Sequence, residues 1–267
     1  MGPRQMKVLG IDLETQSLDK ETRITEIGAV LVDYDFATKT WTRLEAFSHL
    51  CWEPNYPPQP LNIIELTGIT DHMLITKGAP RDVVIREQLL PLMNEAELLV
   101  AHNKKFEMDV LGSTFEELGI AMPDKEWLCT RSEIDYPPKF TCHKLAHLAY
   151  DHGILVPPSE LHRADQDVEL MLRLLAKYNF EQVLAYYREP WVLLKAKILG
   201  PWDGPGGDGG IQKGIATGLG FSYEKPRGTY HLNFPKTWVA RIKESRADVI
   251  IEAALSSASP FRVSRLQ

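Results

Sequence analysis

Asp12 and Glu14 stand two residues apart in a run, Lys7 to Glu14, that reads as a β-strand. Side chains at i and i+2 of a strand share one face, so the two carboxyls project side by side. Carboxylates that close repel unless a cation lies between them, and hard divalent cations such as Mg2+ and Mn2+ take oxygen ligands of this kind. By itself a D-x-E pair is most often a solvated strand feature. More residues of the same chemistry lie downstream. The segment Ala101 to Leu111, AHNKKFEMDVL, carries Glu107 and Asp109, and the segment His162 to Leu175, HRADQDVELMLRLL, carries His162 and Asp167. An imidazole can accept a proton at neutral pH.

With the first segment, Ile11 to Val32 (IDLETQSLDKETRITEIGAVLV), these stretches resemble the three motifs of the DEDDh family of 3′–5′ exonucleases, the superfamily of polymerase proofreading subunits and RNase T. Order and separation both match, and the resemblance covers residues 6–180. It implies an α/β fold of the RNase H-like type, a mixed five-stranded sheet flanked by helices. It also implies phosphodiester hydrolysis assisted by two divalent cations, Mg2+ or Mn2+. Such cleavage builds negative charge on the attacking, non-bridging and leaving oxygens, and two cations about 3.5–4 Å apart stabilise both ends of the displacement. On this resemblance Asp12 bridges both cations, Glu14 binds one and orients the water, Asp167 completes the first shell, and His162 is the general base.

The second motif departs from the family pattern H-N-x-x-F-D. His102, Asn103 and Phe106 are in place, but the next residue is Glu107, and an aspartate follows only at Asp109. On a helix these two point about 200° apart, so both cannot serve one cation. Glu107 is the first choice because it holds the motif position. Asp109 on a rotated helix is the second, and an impaired site the third. Substrate contacts are expected at Thr15, where the family's backbone approaches the 3′-terminal sugar, and in Leu66 to Thr70, which resembles the loop that packs on the terminal base. There Ile69 would wedge against the base and Gly68 would permit close backbone approach. The same residues also read as a helix end with a glycine cap. Asn103 either bonds near the 3′ end or caps the helix that follows.

The elements needed to hold these groups are legible in the apolar spacing. Val8, Gly10, Asp12 and Glu14 alternate with Leu9, Ile11 and Leu13. Arg23 to Val32 and Thr40 to Leu50 read as a second and third strand joined by a polar turn, and Trp52 to Pro60, with four prolines, as irregular. Pro80 opens a helix of about 13 residues. Leu98 to Ala101 is a short buried strand, Lys104 to Leu118 a helix stopped by Gly119, and Trp127 to Thr130 another strand. His143 to His152 reads as a helix. Asp165 to Tyr178 is a helix with Val168, Met171, Leu172 and Leu175 on one face. A further helix is expected over 180–199, kinked at Pro190.

The chain has 267 residues, 30 basic and 36 acidic, with a net charge of −6. That excludes coating nucleic acid by bulk charge. Residues 200–267 are the exception, with nine basic against six acidic groups. No run approaches the ~18 apolar residues of a membrane helix. The start lacks a signal-peptide core, and three cysteines with no C-x-x-C pair argue for a reducing, cytoplasmic setting. The expected layout is an exonuclease domain over 1–180, a connecting helix over 181–200, a Gly/Pro-rich linker over 201–210, and a small α+β module over 211–267.

In that last module Phe221, Tyr223, Tyr230, Phe234 and Trp238 are interleaved with Lys225, Arg227, Lys236, Arg241 and Lys243, a pattern that suits single strands. It suits self-association or a polymerase partner equally. His143 and His147, at i and i+4 beside Cys142, have no matching ligand pair for zinc. The expected reaction is release of nucleoside 5′-monophosphates from free 3′ ends of single-stranded DNA, with proofreading in trans as a possible setting. An exoribonuclease, or a 3′-end-binding module without catalysis, would use the same residues.

Overall fold

The computed structural model describes residues 4–19, 22–137, 140, 142–157 and 162–188, and the strands at 191–197, 222–224, 229–235 and 250–254. The chain divides into two units, Met1–Tyr187 and Arg188–Gln267.

The first unit is built on a five-stranded sheet of order β3-β2-β1-β4-β5. Its strands are β1 (Gln5–Thr15), β2 (Ile24–Asp35), β3 (Thr40–Leu50), β4 (Leu98–Ala101) and β5 (Glu126–Cys129). β1 to β3 form an antiparallel meander, whereas β4 runs parallel to β1 and β5 parallel to β4. The sheet is therefore mixed, as the hairpin-then-alternation pattern requires. The alternation along β1 sorts its side chains into two layers. Val8 joins Val30, Val32 and Val100 under α6 (Leu145–Asp151), α7 (Ala164–Leu175) and α8 (Phe180–Arg188). Leu9, Ile11, Ala29 and Leu31 pack on the other face against the helical stretch Arg81–Glu95 and α5 (Lys104–Glu117).

Two glycines let α7 lie directly on the sheet. A Cβ at Gly10 would stand 2.7 Å from Val168 Cγ1, and one at Gly28 would stand 2.4–2.6 Å from the Ala164 and Asp165 backbone. Gly28 is paired with Asp12 across the β1–β2 ladder. The N-terminus of α7 is thus seated beside the carboxylate-bearing half of β1.

Several elements differ from expectation. Two seven-residue helices, α1 (Leu61–Thr67) and α2 (Asp71–Lys77), occupy a stretch left largely unassigned. The helix opened by Pro80 is composite: α3 (Arg81–Val84), a π-helical turn at Ile85–Leu89, and α4 (Leu90–Glu95). The widening immediately precedes Pro91, which has no N–H to donate and whose ring crowds the preceding turn. The helix expected over 181–200 is corrected. α8 ends at Arg188, and Trp191–Lys197 is strand β6. A proline at 190 disfavours helical backbone at the residue before it, which accords with α8 ending at Arg188.

In the second unit β6 pairs antiparallel with β8 (Thr229–Pro235) and with β9 (Ile250–Ala254), and β8 with β7 (Ser222–Glu224), giving the order β7-β8-β6-β9. The hairpin expected near Gly218 to Asn233 is therefore present as β7–β8, but β6 belongs to the same sheet. The Gly/Pro-rich stretch 201–210 falls between two strands of one unit, and the division lies at Tyr187, ahead of that stretch. Residues 201–210 themselves and the helix expected from Pro235 to Arg246 lie outside the described residues. All three cysteines are free. Among the described residues no helix is long and apolar enough to cross a membrane.

Candidate active site

The two carboxyls of β1 face the α7 side of the sheet, because they alternate in phase with Val8 and Gly10. Across the ladder Asp12 is opposite Gly28 and Glu14 is opposite Glu26. From the third motif, His162 has a left-handed backbone (φ 60°) and an exposed ring, immediately ahead of α7. Asp167 lies in the first turn of α7, its N–H bonded to the Arg163 carbonyl at 2.9 Å. One ligand atom each of Glu14, His162 and Asp167 lies within 4.8 Å of the others.

The second motif supplies Glu107 from the first turn of α5. Its side chain is 3% exposed, and Oε2 is buried without a hydrogen-bond partner. Asp109 is turned away, half-exposed and paired with Lys105 one turn back. The structure thus places Glu107 beside Asp12 and turns Asp109 toward Lys105. Lys104 is not available to a phosphate either: it is buried, with Nζ 2.6 Å from Glu133 Oε1 and donating to the Trp127 carbonyl. His102, the first residue of the motif, is partly buried. Its Nε2 bonds the His143 carbonyl and its Nδ1 meets Thr130 Oγ1. A carbonyl only accepts, so Nε2 carries the proton and the Thr130 hydroxyl donates to Nδ1. Burial lowers this imidazole to about 4, so the ring is neutral and structural.

The electrostatics of the cluster are those of an acid site without its counter-charge. Asp12 is raised well above the ordinary carboxylate range, first by burial and then by Glu107, Glu14, Asp167 and Glu26. Burial, with Asp167 and Glu26 adding repulsion, pushes Glu14 up to about 8. Glu107 is pushed up by burial as well. Asp167 rises to about 6 by burial, held back by His162. Four crowded carboxyls and a buried orphan oxygen fit a hard divalent cation, which would supply the missing positive charge.

The expected substrate contacts fare unevenly. Thr15 is buried and its hydroxyl donates to the Ser17 carbonyl at 2.6 Å. Asn103 precedes α5 as an exposed residue, and its side chain makes no cap bond. Gly68 is the left-handed cap of α1 (φ 70°), donating to the Ile64 carbonyl at 2.8 Å, so the glycine-capped helix end is the form adopted. Ile69 is fully buried between Leu50 and Leu74. Its apolar surface packs in the core beneath α2, where a wedge on the terminal base was expected. Each ring nitrogen of His143 lies against a backbone carbonyl, of Arg131 or of Phe140, and among the described residues no group of metal-ligating side chains forms around it. Glu26, outside the set of residues expected from the motifs, lies across the ladder from Glu14. Its signal was a lone carboxylate inside the otherwise apolar run Ile24 to Val32.

The family model described as an exonuclease, RNase T, matches residues 9–175. The PolC-type DNA polymerase III of Bacillus subtilis is 32% identical over 171 residues, covering 62% of this chain and 11% of the polymerase. That of Halalkalibacterium halodurans is 36% identical over 112 residues, 41% of this chain and 7% of the polymerase. The chain therefore matches only about a tenth or less of these relatives' length. Among solved structures, Exonuclease I of E. coli in complex with single-stranded DNA superposes with a TM-score of 0.57 at 16% identity, covering 73% of this chain and 48% of Exonuclease I. The nuclease domain of 3′hExo, a DEDDh family member bound to rAMP, gives 0.50 at 17% identity, covering 64% and 90%. The two structural likenesses concern the fold, a mixed sheet between helices. The family match spans more than half the chain and contains all three motifs, so this chain belongs to the RNase T exonuclease family.

Proposed function

We propose that the chain hydrolyses single-stranded DNA from its 3′ end, releasing nucleoside 5′-monophosphates with two Mg2+ or Mn2+ ions. The observation that carries this reading is the convergence of Asp12, Glu14, Glu107 and Asp167 with His162, from three separate segments. Asp12 would be shared between the two cations, Glu14 and Asp167 would complete one shell, and Glu107 would serve the other. When bound, the cations would neutralise charge on the non-bridging and leaving oxygens and make a water more acidic. An imidazole nitrogen of His162, an exposed residue within 4.8 Å of the Glu14 and Asp167 carboxyls, accepts the proton of the attacking water. As the water oxygen bonds to phosphorus, the bond to the neighbouring 3′ oxygen breaks. Solvent returns a proton to that oxygen.

DNA is favoured over RNA because the relatives matching this segment are DNA polymerases. The second unit is assigned to holding the strand or a polymerase partner, from its basic and aromatic composition.

The test is digestion of 5′-labelled single-stranded DNA, with RNA of the same sequence alongside. Each is run with Mg2+, with Mn2+ and with chelator, against Asp12→Ala. A metal-dependent ladder shortening from the 3′ end and absent in the variant is expected, faster on DNA. A faster RNA ladder would reverse the substrate assignment. Binding without cleavage would reduce the chain to a 3′-end-binding module.

A further inference from the structure

Glu26 is fully buried near the start of β2, yet among the described carboxyls of the cluster and its neighbours it is the one whose proton affinity is lowered. Its hydrogen bonds explain this. Oε1 accepts from Ser48 Oγ at 2.7 Å and from Arg163 Nη2 at 2.6 Å. Oε2 accepts from Arg163 Nε at 3.0 Å and from the Ala164 backbone N–H at 3.1 Å. Burial works against ionisation, and the bonds from Arg163, Ser48 and Ala164 overcome it. Four donors fill the roughly four lone-pair sites of a carboxylate. Glu26 therefore has no oxygen left to offer a cation, although it sits directly across the ladder from Glu14.

These bonds fall at a telling place. Arg163 is the N-cap of α7 and its side chain makes no cap bond; one of the helix's unpaired N–H groups, at Ala164, is satisfied from another strand. His162, on one side of the bonded pair, has a left-handed backbone that costs an L-residue energy. Asp167, on the other side, is one helical turn along. Gly28, two residues from Glu26 on the same strand face, is where the Ala164 backbone comes to rest. Glycine permits the approach, and the carboxylate sets the rotation and height of the helix.

We infer that Glu26, through its forked ion pair with Arg163 and its bond to Ala164, is a positioning residue that holds His162 and Asp167 against Glu14. The inference rests on the exonuclease reading for its kinetic arm only. Glu26→Gln keeps the shape but turns an acceptor into an N–H2 group facing donors. Arg163→Lys keeps the charge but loses the fork. Both are compared with Arg43→Ala, which removes an exposed ion pair to Glu169 on the same helix.

Each protein is assayed for kcat and KM on single-stranded DNA well below its thermal midpoint, and for Mn2+ binding by electron paramagnetic resonance. Both clamp variants should lose about 10- to 100-fold in kcat at unchanged KM, and about tenfold in Mn2+ affinity. Arg43→Ala should change neither. Folded Glu26→Gln and Arg163→Lys that match Arg43→Ala in kcat and in Mn2+ affinity would overturn the inference. If Glu26→Gln does not fold, Arg163→Lys, altered at a partly exposed side chain, decides alone. An inactive wild type would refute the exonuclease reading and leave the clamp to be judged by Mn2+ affinity.

Discussion

Stability without metal should fall as pH rises, against the common trend for acid-rich proteins. Glu14 titrates at 4.5 when unfolded and at about 8 in the folded cluster. A raised folded value means that the folded state binds its proton more tightly. The contribution is then fully present below pH 4.5 and lost as pH climbs towards 8. Each tenfold change in proton affinity is worth about 1.4 kcal/mol, so Glu14 alone weakens the metal-free fold by on the order of 4 kcal/mol at pH 8 relative to pH 4.5. Asp167, rising from 3.8 to about 6, acts in the same direction over a lower window. The two share one repulsion and are not added. At about 2–4 °C per kcal/mol for a unit of this size, the thermal midpoint in chelator should drop by about 10 °C between pH 5 and pH 8. Glu26 has the opposite sign, since its lowered value gives stability that is lost on acidification below the usual carboxylate range. Circular dichroism melts at half-unit pH steps, in chelator and with Mn2+, provide the assay. Mn2+ should restore the midpoint at pH 8 and do little at pH 5. A midpoint that stays level or rises from pH 5 to 8 in chelator, and ignores Mn2+ at pH 8, would refute the cation-deficient account of the cluster.

Three further outcomes are expected. Glu107→Gln should abolish most activity and raise the chelator midpoint at pH 8, whereas Asp109→Asn, which only releases Lys105, should retain activity; the converse pattern would reassign the second motif. Ile69→Ala should destabilise by about 2–5 kcal/mol in a urea titration, as a buried aliphatic truncation does, with KM of the folded enzyme unchanged; a raised KM with little loss of stability would restore it to the substrate. Truncation after Tyr187 should give a folded, active protein, because among the described residues both apolar layers of the five-stranded sheet lie within the first unit, one ending at Trp127 and the other at Tyr187. Its KM for long single strands should rise, and an unchanged KM and product length would remove strand binding from the second unit.

Much of the site could be read from the chain because its ligands lie on elements with clean periodicity. The alternation of β1 placed Asp12 and Glu14 on one face, and the Val168–Met171–Leu172–Leu175 stripe placed Asp167 on a helix lying on the sheet. Glu107 and Asp109 stayed ambiguous because α5 has apolar residues on more than one side. What decides between them is three-dimensional: Lys104 locked to Glu133, and Lys105 drawn to Asp109. α1 and α2 were hidden by brevity, two turns each with little room for a period to show. β6 was hidden because Trp191 to Lys197 continues the apolar content of α8, and only its strand partners, more than 30 residues on, disclose its state. Glu26 and Arg163 are 137 residues apart, so no local pattern joins them.

That separation has a kinetic consequence. β1, β2 and β3 are sequential neighbours and can zip as hairpins. The seat at Gly28, by contrast, must wait until the helix beginning at Ala164 has been synthesised. Long-range contacts form late, and this one brings a fresh carboxylate up to others already in place. Until α7 has been made, the carboxyls of β1 and α5 lack Asp167 and the neighbouring His162. The final docking of α7 is the step at which charge repulsion opposes folding, and the step at which ambient divalent cations should hasten it.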